Sequence, residues 1–109
     1  MAANDTLYVD AGATFTRQYV YTNTDGSVFD LTGYTARAQV RTDYTAATAT
    51  IDTNPTIDVG TGTISLTFTA TETGLLTNTQ YVWALELTKS PTVIRLVEGQ
   101  VVVSLEVVK

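Results

Sequence analysis

The side chains able to do chemistry are few, and their kinds decide more than their spacing. The 109 residues include no histidine and no cysteine. Disulfides, thiolate zinc sites, cysteine nucleophiles and the imidazole of a Ser-His-Asp relay are thereby removed together. Carboxylates remain. Glu72, Glu86 and Glu98 could serve as acids or bases, but glycoside hydrolysis needs two carboxyls held across a cleft in opposite protonation states, and a chain this short has little room for one. Asp52, Asn54 and Asp58 offer oxygen ligands, yet their spacing departs from the calcium-loop pattern, and carboxylates are common at turns. The sequence predicts no catalytic residue, no metal ligand and no cofactor.

Two further sets could recognise something. Arg37 and Arg41 alternate with Gln39 on one face of an extended run; they read as a solvated sheet face or as a salt-bridging contact to an acidic neighbour. Trp83, Tyr8, Tyr44 and the tyrosines of the Thr14–Tyr21 run could stack on sugars, but only from an exposed flat platform. Trp83 alternates with Leu85 and Leu87, which predicts burial instead. The net charge of −5 and pI of about 4.3 argue against phosphate-backbone binding, because the six basic residues are scattered rather than clustered. No apolar run reaches the length of a membrane span, and the first residues lack the basic-then-apolar start of a signal peptide, so no membrane partner and an intracellular site of synthesis are expected.

The element that must position the rest is Gln80–Leu87. Alternate side chains of a strand point to opposite faces, so Tyr81, Trp83, Leu85 and Leu87 must enter one interior. Ala36, Ala38 and Val40 alternate inward in the same way, and the small alanines suit the tryptophan, since dense cores set small groups against large ones. Phe15, Tyr19 and Tyr21 share a face with Arg17, whose charge must snorkel to an edge or stack on a ring. Ile64, Leu66 and Phe68 form a further inward row. The expected core is thus Phe15, Val40, Leu66, Phe68, Tyr81, Trp83 and Leu85. Asp25-Gly26, Gly33, Asn54-Pro55, Gly60-Thr61-Gly62 and Ser90-Pro91 punctuate the runs as turns or breaks. Thr69 or Thr71 can cap one helical turn, with Glu72 near its positive end and Leu75 and Leu76 as a lid. About a fifth of the residues are threonine, which suits half-exposed sheet faces.

The last run, Gln100–Val108, is apolar on both faces. It needs a central position in the sheet or a partner chain, because a long apolar terminal strand is otherwise an aggregation hazard. Gly99 before it reads as a bulge or kink. Val102, Val107 and Val108, with Arg37 and Arg41, are the candidate interface residues.

Seven to nine short strands at roughly ten-residue spacing, with no helical pattern, predict one all-β domain over residues 1–109: an antiparallel immunoglobulin-like sandwich, or else a small barrel. The motif order is more specific. Ala11-Gly12-Ala13-Thr14-Phe15, Asp25-Gly26-Ser27, Asp30-Leu31-Thr32-Gly33-Tyr34 running on to Arg41, Gly62-Thr63-Ile64-Ser65-Leu66, Tyr81–Leu87 and Arg95-Leu96-Val97-Glu98-Gly99 together resemble small tailed-phage virion proteins and the immunoglobulin-like N-terminal domain of phage upper-baseplate proteins. Arg17 departs from that pattern, which usually has an apolar residue there. The longer family members continue into coiled-coil and receptor-binder-docking segments, so their fibre-holding role is not carried over whole. The resemblance implies a non-enzymatic structural protein of the virion, made in the host cytoplasm: a tail, baseplate or fibre-attachment module present in multiple copies, whose partners are other virion proteins. A capsid decoration protein and a carbohydrate-binding adhesion module are the alternatives.

Overall fold

The structure, a computed structural model, describes residues 3–105. Its strands are β1 (Ala3–Asn4), β2 (Leu7–Asp10), β3 (Phe15–Val20), β4 (Thr35–Arg41), β5 (Ile51–Thr53), β6 (Thr56–Asp58), β7 (Thr63–Phe68), β8 (Gln80–Lys89) and β9 (Thr92–Ser104), with one short helix, α1 (Ala70–Thr73), between β7 and β8. Two open sheets share one apolar core. The larger has the order β1-β9-β8-β4-β5, with β2 also pairing β9; the smaller is β3-β7-β6.

β8 is central to the larger sheet, and its burial alternates along its length, with Tyr81, Trp83, Leu85 and Leu87 inside. Val40, Leu66 and Phe68 are buried with them, while Phe15 is half-buried and stacks on Phe68 with ring centroids 5.7 Å apart. The alanines of β4 do not face the tryptophan. Ala36 and Ala38 lie opposite Leu87 and Leu85, and Trp83 is flanked by Val40 on one side and Gly99 on the other. The small group that accommodates the indole is therefore a glycine from β9.

The antiparallel expectation is corrected at the N-terminus. β1 and β2 both run parallel to β9, pairing Ala3–Asn4 with Val97–Glu98 and Leu7–Asp10 with Val101–Ser104. The larger sheet is consequently mixed, and β9 becomes an interior strand over most of its length. This pairing covers the edges of β9, while its faces differ: Val101 and Val103 enter the core and Val102 is half-buried on the outer face. Val107 and Val108 lie outside the described residues.

Gly99 is not a bulge. It keeps register with Trp83, and the irregularity comes earlier, where Leu85 pairs with Val97 but Glu86 pairs with Arg95, leaving Leu96 as the extra residue. What Gly99 provides is close approach. A Cβ there would come within 2.2 Å of the Asp5 carbonyl oxygen, which arrives between β1 and β2 while the Asp5 amide donates to the Glu98 carbonyl at 3.0 Å. Asn54-Pro55 marks the point where the chain leaves one sheet for the other, since β5 pairs β4 while β6 pairs β7. Val28–Phe29 makes only a bridge, Thr22 to Val28.

α1 begins with a capping box, in which Thr69 Oγ1 accepts from the Glu72 amide and Glu72 accepts from the Thr69 amide. This satisfies donors that the helix leaves free. Leu76 closes the core, whereas Leu75 is 53% exposed. Thr73 is fully buried: its hydroxyl accepts from the Gly12 amide at 3.0 Å and donates to the Ala13 carbonyl at 2.8 Å, fastening α1 to the bend after β2.

Candidate functional site

The outer face of the larger sheet collects most of the charged side chains singled out from the sequence. Strand register places Arg37, Glu86 and Arg95 in one row across β4, β8 and β9, and Asp52, Gln39, Ala84 and Glu98 in the next. The signs alternate. Arg37 donates to both oxygens of Asp52, at 3.0 Å from Nε and 2.6 Å from Nη2, and Gln39 adds a third bond to that carboxylate at 3.1 Å. These bonds hold the Asp52 carboxyl below the usual carboxylate range, the Arg37 guanidinium being the main cause. Arg95 lies between Glu86 and Glu98, at 3.5 and 3.9 Å. Arg41 is tied down by donating to the Ala46 carbonyl and to Gln39 Oε1, both at 2.8 Å. Both candidate interface arginines are thus engaged within their own chain, Arg37 across the sheet and Arg41 with its own strand and the loop that follows it. Opposite charges on neighbouring strands favour this register over a slipped one.

Farther along, the same face turns apolar and aromatic. Val102 sits between Tyr8 and Gln80, and Val82 lies in the adjoining row between Arg41 and Gln100. Val102 is half-buried, its backbone enclosed by strands on both sides. Tyr8 is 72% and Tyr44 74% exposed.

A second feature lies at the open side between the sheets. Among the described residues, β3 ends the smaller sheet and pairs only with β7. On its far side, β9 has strand partners at 97–98 and 101–104 but, among the described residues, none over 92–96. The two unpaired edges flank a cleft of about 680 Å³ lined by Tyr19, Val20, Tyr21 and the Val93–Glu98 stretch. Val20 and Val93 at its rim are 64% and 58% exposed. Arg17 emerges at the same side and pairs with Asp5 at 3.7 Å; a charge pointing inward from an edge strand is one way sheets restrict indiscriminate pairing.

The remaining candidates disperse. Glu72 is used by the cap. Glu86 and Glu98 converge on Arg95 on the outer face, 40% and 33% exposed, and both carboxylates face the same guanidinium rather than each other across a cleft. Asp52 and Asp58 stand on different sheets, and Asn54 donates to the Ala36 carbonyl. Among the described residues no cluster of three or more acidic side chains could hold a metal, and no helix is long and apolar enough to cross a membrane. Trp83 is 2% exposed and stacks on Tyr19 from the other sheet, so it offers no platform. Neither the cleft nor the Glu86–Arg95–Glu98 cluster was foreseen from sequence, because both depend on which strands become neighbours. No family model matches the chain, and no curated protein matches it in sequence.

Proposed function

We propose that this chain is a non-enzymatic structural protein of a tailed-phage virion, an immunoglobulin-like sandwich module of the tail, baseplate or fibre-attachment type that docks onto neighbouring virion proteins through strand edges and loops. The phage assignment rests on the motif order from Ala11 to Gly99. The observation that carries docking is the pair of unpaired edges, β3 and Thr92–Leu96 of β9, on either side of one cleft. Free edge amides and carbonyls recognise another extended chain, and apolar pockets beside them select its alternate side chains. The occupant is a strand of a neighbouring virion protein.

Mass spectrometry of purified particles, followed by a reconstruction that places the protein in the tail or on the shell, tests the assignment. Absence from particles overturns it, and a position on the shell converts the module into a decoration protein. Val20→Lys with Val93→Lys tests the route: both positions are exposed, so melting shifts by less than about 0.5 kcal/mol, while charge at the edges blocks incorporation. Normal incorporation of the double variant removes the edges from the docking route.

A further inference from the structure

Between the charge rows and the Tyr8–Val102 row, the outer face has a depression of about 190 Å³. Val82 and Ala84 form its floor, Tyr44 stands at one side, and Arg41, Arg95, Glu86 and Glu98 contribute to its rim.

The loop that presents Tyr44 is built rather than loose. Arg41 holds it by donating to the Ala46 carbonyl at 2.8 Å, Asp43 Oδ1 accepts from the amide and hydroxyl of Thr45 at 2.9 and 2.7 Å, and the Thr50 amide returns the chain to Val40 at 2.7 Å. Tyr44 nevertheless remains 74% exposed. The held backbone thus presents a large exposed ring beside an apolar floor, which lowers the ordering cost of a contact there.

The rim specifies the chemistry of the contact. Two guanidinium groups face two carboxylates, so the depression presents no net charge for a phosphate or a cation to follow. The Arg95 pairs, at 3.5 and 3.9 Å, are longer than the 2.7–2.9 Å of charge-assisted hydrogen bonds, unlike the 2.6 Å bond of Arg37 to Asp52. Arg95, Glu86 and Glu98 therefore keep donors and acceptors to offer a ligand. An aromatic wall, a small apolar floor and balanced planar hydrogen-bonding groups match a pyranose, which has an apolar C–H face and a hydroxyl rim. The volume is below the roughly 300–1,000 Å³ of drug-sized pockets, which limits the ligand to one ring. We infer that this depression binds a neutral hexopyranose, free or as the terminal residue of a glycan, with Tyr44 stacking on its C–H face and Arg95, Glu86 and Glu98 bonding its hydroxyls. This site is separate from the edge cleft and does not depend on the virion reading.

The test is a titration of isotope-labelled protein with glucose, galactose, mannose and N-acetylglucosamine, following backbone amide resonances. Saturable shifts centred on Tyr44, Val82 and Ala84, with a millimolar dissociation constant for at least one sugar, are expected. Tyr44→Ala should weaken that binding about tenfold while leaving the melting curve and the Trp83 fluorescence unchanged. The inference is overturned if none of these sugars shifts those amides, if Tyr44→Ala binds as tightly as the parent protein, or if the anionic N-acetylneuraminic acid binds more tightly than the neutral sugars. Loss of particle incorporation in Tyr44→Ala without any sugar response overturns it in favour of a protein contact.

Discussion

The Trp83 indole nitrogen donates to the Asp5 carbonyl oxygen at 2.9 Å across 78 residues of sequence, and Gly99 is the neighbour that lets that carbonyl in. One residue of the N-terminal segment thus satisfies the only polar atom of the central core aromatic, pairs with Glu98 through its amide, and reaches the edge of the smaller sheet through its carboxylate. Gly99→Ala should expel the carbonyl. We expect a loss on the order of 1–3 kcal/mol, the usual cost of overpacking, with changed Trp83 fluorescence because the indole N–H loses its acceptor. Denaturant melts showing no loss would contradict this packing.

Thr73 gives a second test, independent of the tryptophan. Replacing it with valine keeps the shape but removes the buried hydroxyl that accepts from the Gly12 amide and donates to the Ala13 carbonyl. Gly12 itself is exposed, so water can reach its amide and the loss should be about 0.5–1.5 kcal/mol, the net contribution of a hydrogen bond. Thr73→Ser keeps the hydroxyl and should retain most of the stability. Equal melting of the two variants would show that the Gly12 bond contributes nothing.

On the outer face, Glu86 is the acid between two bases, opposite Arg37 and Arg95. Glu86→Lys places three cations in one row, and like charges opposite one another on neighbouring strands repel. The melting temperature should fall by roughly 2–6 °C at low salt, and most of that loss should disappear near 1 M salt, where the screening length is about 3 Å. A deficit that persists at high salt would mean that the strands themselves have been disturbed.

Tyr19 predicts behaviour in alkali. Burial, and then its 2.6 Å hydrogen bond to Asp5, raise its pKa far above the ordinary tyrosine value of 10.0. The unfolded chain releases this proton at lower pH than the folded one. The stabilisation is therefore fully present below about pH 10 and is lost as pH rises beyond it. Phenolate absorbance should show one tyrosine titrating later than the others, and Tyr19→Phe should remove that late step and flatten the decline of stability in alkali. A titration in which all tyrosines ionise together would refute the Asp5 contact.

Periodicity is a local property, so the inward and outward faces of Gln80–Leu87 and Thr35–Arg41 were legible before any fold was known. So were a helical turn capped by Thr69 or Thr71, of which the structure uses Thr69, and the break at Asn54-Pro55. Composition alone removed the imidazole and thiol chemistries. Which strands become neighbours is set by long-range pairing. Hence the parallel addition of β1 and β2 to β9, the setting of Trp83 against Gly99 rather than an alanine, the shift of the irregularity to Leu96, and the meeting of Glu86, Arg95 and Glu98 were all decided by tertiary structure. The cleft belongs there too, because an edge is defined by the absence of a neighbouring strand, and no residue encodes that by its own type.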